Sequence, residues 1–235
     1  MTSSSSSVCG SSSRRPAIRA GLRRPPPTRG IRSGSWASGH RSTPAIYRPG
    51  DRWPATSAGR RRAGRGLSCL LELPEREYQH FGTRYLQRHV GRASPGFIPT
   101  LERLVRTKSW WDTVDGLATR VAGPLAAAHP ALRGVMDAWV ESEDIWLARV
   151  AIQHQERYRE RTDTERLFAY CLRRASDREF FVRKAIGWAL RSYAKVAPEV
   201  VADFLTGHGT ALWGLSRREA ERGVAMGRGV AGPAL

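Results

Sequence analysis

From Leu70 onward, apolar residues recur every three or four positions, and no stretch shows the two-residue alternation of a β-strand. This spacing places apolar side chains on one face of a helix, so the sequence predicts an all-α domain. The predicted helices lie near residues 75–91, 96–106, 110–122, 130–141, 143–159, 163–175, 179–195, 198–208 and 216–224. Three Ser/Thr-x-x-Glu sequences, which begin at Thr162, Ser176 and Ser216, are typical of capping boxes and support three of these helix starts.

The predicted helices are short, and only a few residues connect each helix to the next. This pattern favours an α-solenoid of stacked helical pairs over a four-helix bundle, whose helices would be longer. We therefore predict a HEAT-like helical-repeat superhelix over residues 70–224, followed by a flexible C-terminus over residues 225–235.

The first 66 residues have a different composition. They hold fourteen arginines, no lysine and one acid, Asp51, so they carry +13 of the total charge of +18 and leave +5 on residues 67–235. A segment rich in Ser, Arg, Pro and Gly cannot bury enough apolar surface to offset chain entropy, so it is predicted to be a disordered tail. Three interpretations stay open: a tail that binds nucleic acid electrostatically, an organelle transit peptide, or a translation start placed too far upstream.

The cysteines and the hydropathy pattern restrict the class of protein further. Cys9, Cys69 and Cys171 are far apart and odd in number, which fits neither a disulfide framework nor a CxxC metal site. No apolar run reaches the roughly 20 residues that span a bilayer. We expect a soluble cytoplasmic protein without a metal or an organic cofactor.

The stretch Thr107–Asp115 places two adjacent tryptophans and two carboxylates at one predicted helix start. Ser109 can act as the N-cap, and Asp112 would then lie in the first turn, where the helix dipole favours an anion. In this phase Trp111 shares one face with Asp115, whereas Trp110 can point into a core. Two core tryptophans beside a solvated acid would show the same spacing, so spacing alone does not establish a site.

Two later stretches also carry unusual side chains. In Asp144–Ile152, Arg149 projects from the edge of an apolar stripe, where it either faces a groove or packs its stem over Trp146. In Phe180–Arg191, a glycine at position 187 costs about 1 kcal/mol relative to alanine in mid-helix and indicates the close approach of another backbone. Four residues of this predicted helix are spaced at i, i+4, i+7 and i+11 and form a basic face around one indole: Lys184, Trp188, Arg191 and Lys195.

Five stretches together resemble the HEAT-like-repeat DNA alkylation repair glycosylases, the AlkD-like family. They are Pro74–Gln79, Thr107–Asp115, Trp146–Ile152, Thr162–Asp163 and Phe180–Arg191. The resemblance covers about residues 70–224. It implies a curved stack of helical pairs whose concave, basic face holds duplex DNA, and a monomer of the bacterial cytoplasm or nucleoid that needs neither a membrane nor an obligatory protein partner.

The resemblance also implies an activity, the excision of cationic N3- or N7-alkylated purines by hydrolysis of the N-glycosidic bond. Matched to the motifs of the family, Asp115, Trp111 and Trp188 are the expected catalytic residues, and Arg149 is the cleft arginine that would hold a phosphate. The expected DNA-binding residues are Arg149, Lys184, Arg191, Lys195 and Lys108.

Two other functions remain as alternatives to the glycosylase. A non-catalytic HEAT-like protein could bind branched or damaged DNA, but phosphate binding alone would need neither Trp111 nor Asp115. A repeat scaffold for protein partners would instead predict an apolar face in place of the basic stripe. Ala148 departs from the family pattern, since relatives often carry a second arginine there.

Overall fold

The computed structural model describes Gly66 and residues 73–229. All of these residues belong to one compact unit. The predicted disordered tail, apart from Gly66, lies outside the described residues, as does the chain from residue 230 onward.

All regular structure within residues 73–229 is helical, which confirms the predicted all-α class. We number the α-helices in chain order. They are α1 Arg76–His89, α2 Ile98–Arg106, α3 Trp111–Leu117, α4 Gly123–Ala128, α5 Arg133–Val140, α6 Ile145–Gln153, α7 Thr164–Arg173, α8 Phe180–Ala194, α9 Pro198–His208 and α10 Gly214–Gly227. Helix α10 continues past residue 224, so the helical domain extends into the segment predicted to be a flexible C-terminus.

The predicted helix over residues 110–122 differs from the observed one. Helix α3 passes through a π-helical turn, Ala118–Ala122, directly into α4. Pro124 lies in the first turn of α4 and has no N–H to donate to Arg120, so α-helical hydrogen bonding cannot continue unbroken. The π turn accommodates this defect. The Tyr158 hydroxyl donates a hydrogen bond to the Gly123 carbonyl at 2.7 Å.

When α3 and α4 are counted as one continuous helix, alternate helices form a row in which neighbours run parallel. Between α8 and α10, a Cβ at Gly187 would lie 2.8 Å from Glu219 Cβ, and a Cβ at Gly223 would lie 2.6 Å from Arg191 Cα. Farther along both helices, a Cβ at Gly227 would lie against the Ala194 carbonyl oxygen. Because contacts advance together along both helices, the two axes run in the same direction. We call α1, α3, α6, α8 and α10 the parallel row.

Ion pairs join neighbours in the parallel row at a nearly constant separation along the chain. Arg76 pairs with Asp112, 36 residues later, and the Asp115–Arg149 pair spans 34 residues. Between α8 and α10 the Lys184–Glu219 pair spans 35 residues. A repeating unit of about 35 residues, with one parallel helix and one connecting helix, is what a helical-repeat fold requires.

One core cluster runs through all ten helices except α4. Fully buried members include Leu101 of α2, Val114 of α3, Met136 of α5, Ile152 of α6 and Leu190 of α8. Burial of each such side chain contributes roughly 1.5–3 kcal/mol, so the stack is stabilised by contacts between successive pairs.

The part of the chain from Leu73 to Gly229 contains no helix with the length and apolar character needed to cross a bilayer. Within it, Cys171 is buried and forms no disulfide, and burial raises the pKa of its thiol. Cys9 and Cys69 lie outside the described residues.

Candidate functional site

Asp115 and Arg149 form a bidentate ion pair between α3 and α6. Arg149 Nε donates to Asp115 Oδ1 at 2.7 Å, and Nη2 donates to Oδ2 at 2.9 Å. The Asp115 side chain is 18% exposed, whereas that of Arg149 is only 3% exposed. The planar fork of arginine matches a carboxylate in this way and fixes its orientation, so Arg149 determines where both oxygens of Asp115 lie.

The rest of the Arg149 guanidinium is also engaged. Nη1 donates to the Phe181 carbonyl at the start of α8, and the guanidinium carbon lies 6.0 Å from the ring centroids of both Phe181 and Trp188. The predicted direct phosphate contact of Arg149 is therefore not available in this structure, because its side chain is buried and its guanidinium binds Asp115 and the Phe181 carbonyl. Ala148, next to it, is buried completely.

The two adjacent tryptophans have the division of faces that the sequence predicts. Trp111 begins α3 and is 44% exposed, on the same side of the helix as Asp115. Trp110 is partly buried against the core and lies edge-on to Phe181 with ring centroids 5.1 Å apart. Trp146 completes this aromatic cluster, 5.0 Å from Phe181 and 6.1 Å from Trp110. The cluster supports the helix start from which Trp111 projects.

The predicted cap of this helix is wrong. Ser109 does not cap α3; its hydroxyl donates to the Val105 carbonyl, and Trp110 is the N-cap without a side-chain cap bond. The turn before α3 is instead held by α1, since Arg76 Nη1 donates to the carbonyl of Lys108 at 2.9 Å. Lys108 has a φ of 45°, in the left-handed region that bulky residues rarely adopt.

Lys108 was a predicted DNA-binding residue, and its side chain is exposed. Its ammonium donates to the Leu73 carbonyl at 2.7 Å, which ties the start of the described chain to the turn before α3. A phosphate contact of Lys108 remains a prediction.

Asp112 is more than a first-turn acid. It pairs with Arg76 and accepts from His80, whose Nε2 lies 3.3 Å from Oδ2. Burial alone would raise the pKa of Asp112, but the hydrogen bonds from His80 and Arg76 outweigh it and lower this pKa from 3.8 to about 2. Asp112 therefore joins α1 to α3, while Asp115 joins α3 to α6.

Trp188 is half-buried on α8 and lies next to two arginines. Arg149 approaches its ring from α6, and the Arg191 guanidinium carbon lies 5.5 Å from the same ring. Each arginine is held by a carboxylate, since Asp115 binds Arg149 and Arg191 Nη1 donates to Glu219 Oε2 at 2.6 Å. The structure thus brings the three predicted catalytic residues to one side of the parallel row, with Arg149 as the link between Asp115 and Trp188.

The predicted basic stripe is partly neutralised. Lys184 Nζ lies 3.2 Å from Glu219 Oε1, so Glu219 accepts from both Lys184 and Arg191. Arg222 approaches the same carboxylate at 3.7 Å. Lys195 is exposed, at the end of α8. Of the stripe residues, Lys195 is therefore the one most open to a phosphate.

Glu219 was missed as a site residue because its sequence context suggested a capping box. In the structure α10 begins at Gly214, and the Ser216 hydroxyl donates to the Arg183 carbonyl at 2.8 Å. The other two predicted boxes also fail, since Asp163 caps α7 and α8 begins after Glu179 without a side-chain cap. The mid-helix Gly187 could have indicated this contact. Its predicted close approach to another backbone is confirmed, since a Cβ at position 187 would lie 3.2 Å from Ser216 Cα and 2.8 Å from Glu219 Cβ.

A second carboxylate near the cleft, Glu156, also escaped the sequence analysis. It follows α6 and lies 3.4 Å from the Ser192 hydroxyl of α8. Burial raises the pKa of Glu156, the negative charge of Asp115 raises it further, and the Ser192 hydrogen bond opposes both. Within residues 73–229, no three His, Cys, Asp or Glu side chains gather as they would around a metal ion.

Two comparisons with known proteins found matches. A family model described as DNA alkylation repair enzyme matches residues 51–223, a range that begins inside the predicted tail. A solved structure of a predicted DNA alkylation repair enzyme from Enterococcus faecalis is similar, with 28% sequence identity and a TM-score of 0.64. That similarity covers 69% of this chain and 75% of the other.

No curated protein matches the chain significantly. The family match nevertheless extends over most of the sequence and includes every residue assigned to the site above. The resemblance inferred from the motifs is thereby confirmed, and the chain belongs to the DNA alkylation repair enzyme family.

Proposed function

We propose that the protein is a DNA glycosylase that removes cationic N3- or N7-alkylated purines from duplex DNA. The observation that supports this most is the placement of Asp115. Its carboxylate is partly exposed, is oriented by the buried Arg149, and lies on the face of α3 from which Trp111 projects. A structural ion pair alone would not need an exposed indole four residues before the acid.

The proposed chemistry suits these residue types. When the C1′–N bond breaks, its electron pair stays with the purine and neutralises the positive charge of the alkylated base. Positive charge then develops on the sugar, which a carboxylate and the electron-rich faces of indoles stabilise. Trp111 and Trp188 would shelter the deoxyribose, and Asp115 would lie closest to the charge.

Hydrolysis also needs a water molecule that adds to C1′ and releases a proton. Each Asp115 oxygen accepts one hydrogen bond from Arg149, and each retains a further lone pair that can accept from such a water. Asp115 would accept the proton as the C–O bond forms. Arg149 is then a positioning residue for Asp115, and the phosphate contacts fall to Lys108, Lys184, Arg191 and Lys195.

Incubation of the purified chain with methylated DNA, followed by chromatography of the released bases, tests the proposal. We expect release of N3- and N7-methylpurines by the unmodified chain and loss of release in Asp115→Asn. Absence of base release by a folded chain that still binds the DNA would contradict the proposal.

One observation favours a second candidate function. Both oxygens of Asp115 already accept from Arg149, as they would in a purely structural ion pair. A non-catalytic protein that binds branched or damaged DNA would have the same pair. Such a protein would bind lesion duplexes with equal strength before and after Asp115→Asn and would release no base.

A further inference from the structure

Trp188 lies close to two arginine–carboxylate pairs. Arg149 of α6 is bound to Asp115, with its guanidinium carbon 6.0 Å from the Trp188 ring centroid. Arg191 is bound to Glu219 of α10, with its guanidinium carbon 5.5 Å from the same centroid. In the function proposed above, Arg191 contacts only a phosphate, and Glu219 has no role.

The Glu219 carboxylate is built into the interface between α8 and α10. Its side chain is 9% exposed, and Gly187 leaves room for it, because a Cβ at position 187 would lie 2.8 Å from Glu219 Cβ. The Ser216–Arg183 hydrogen bond fixes α10 one turn earlier. The carboxylate therefore has little freedom to move, and Arg191 receives a fixed partner.

We infer that Glu219 is a positioning residue for the active-site cleft. Glu219 holds the Arg191 guanidinium against the Trp188 ring, and Arg191 in turn fixes the indole that faces the deoxyribose. A guanidinium stacked on an indole gains from the ring quadrupole only while its plane stays over the ring. The inference deepens the proposed glycosylase function and rests on it for its effect on catalysis.

The same contact explains why a nearly buried acid lies on the basic stripe. An uncompensated carboxylate would repel DNA phosphates, but Glu219 is surrounded by Lys184, Arg191 and Arg222. The group of four therefore keeps a net positive charge. Glu219 lowers the net charge of the stripe by one unit, and its ion pair with Arg191 holds the guanidinium in one orientation.

Two substitutions and a matched control test the catalytic part of the inference. Glu219→Gln removes the charge that holds Arg191, and Arg191→Lys keeps the charge but removes the planar group over Trp188. Glu221→Gln makes the same change in net charge on the same helix, at an exposed residue that pairs with Arg217. All are compared by single-turnover excision from a duplex with one N7-methylguanine, at a temperature where each chain is folded.

We expect excision to slow about tenfold or more in Glu219→Gln and Arg191→Lys, as for other small displacements of a catalytic group. Affinity for undamaged duplex should not fall in Glu219→Gln, since the variant is more positive, and Glu221→Gln should excise like the unmodified chain. A purely structural Glu219 would lower the melting temperature and leave excision by the folded chain unchanged, and this result would overturn the inference. Arg191→Lys keeps the test decisive if Glu219→Gln does not fold.

A second measurement does not depend on catalysis. Acrylamide quenching of Trp188 is obtained as the difference between a chain and its Trp188→Phe variant, with and without Glu219→Gln. We expect the quenching constant of Trp188 to rise about twofold, since the ring loses its guanidinium cover. Unchanged quenching would overturn the positioning role whatever the excision assay shows. Altered quenching in a chain that releases no base would instead reject only the glycosylase proposal.

Discussion

Asp112 and Asp115 lie three residues apart on α3 and bind arginines on opposite neighbours of that helix. Asp112 pairs with Arg76 of α1, and Asp115 pairs with Arg149 of α6. One short helix is therefore attached through its acids to both adjacent members of the parallel row. The two acids should respond differently to removal, because Asp115 has a far more deeply buried partner.

The first prediction concerns Asp115→Asn. Base release should fall about 100-fold or more, because the carboxylate that stabilises the charged sugar is lost. The variant should also lose about 3 kcal/mol of unfolding free energy, since the buried Arg149 keeps its charge without a carboxylate. Urea denaturation and base-release assays measure the two effects. Adding Arg149→Met should restore much of the stability and none of the activity, and a return of base release would remove Asp115 from catalysis.

The second prediction concerns Asp112 and pH. Its folded pKa of about 2 lies below the ordinary value of 3.8, so its ionised form stabilises the fold. This stabilisation is present above about pH 4 and is lost as the pH falls from about 4 to about 2. The Asp112 side chain is 24% exposed, so solvent screens its ion pair in part. We therefore expect Asp112→Asn to lower the free energy of unfolding by about 1–2 kcal/mol at pH 7. Urea denaturation across this range measures it, and a difference as large at pH 2 as at pH 7 would contradict the assignment.

The third prediction concerns the glycines between α8 and α10. Gly223→Ala should destabilise the fold by about 1–3 kcal/mol, because the new Cβ would lie 2.6 Å from Arg191 Cα and 2.9 Å from its carbonyl oxygen. Gly207 on α9 is the matched control, since a Cβ there meets nothing within 4 Å. Gly207→Ala should be neutral or stabilising by up to about 1 kcal/mol. Equal melting temperatures for the two variants would show that the helices can separate freely.

The fourth prediction concerns Lys195, the exposed member of the basic stripe. Lys195→Ala should weaken binding to damaged and undamaged duplexes equally. It should also reduce the slope of log affinity against log salt concentration by about one. Arg173→Ala removes one charge from α7, outside the parallel row, and should leave that slope unchanged. Fluorescence anisotropy at several salt concentrations makes the comparison. A loss confined to lesion DNA would assign Lys195 to the cleft instead.

The fifth prediction concerns the arginine-rich N-terminal segment. Deleting residues 1–50 removes nine arginines and should lower duplex affinity chiefly at low salt, with no change in melting temperature. Deleting residues 1–66 should have the same effect if the domain begins after residue 66, as the composition predicts. The family match begins at residue 51, so a lower melting temperature for the longer deletion alone would move the boundary to about that residue.

Features that depend on neighbours within one helix could be predicted from the sequence. The positions of most helices follow from apolar spacing, and the separation of Trp110 from Trp111 follows from the turn of an α-helix. The mid-helix Gly187 indicated a close approach before any partner was known. Capping boxes were less reliable, because Ser216 and Glu219 found partners on α8 that competed with the local bonds.

Contacts between side chains of different helices could not be predicted in the same way. Arg149 was expected at a phosphate and instead binds Asp115, 34 residues earlier, while Arg191 binds Glu219, 28 residues later. Such contacts depend on how far each helix of the parallel row is shifted along its neighbour. That shift is set by glycine contacts and buried side chains from the whole stack, and a difference of one helical turn would give every charged residue another partner.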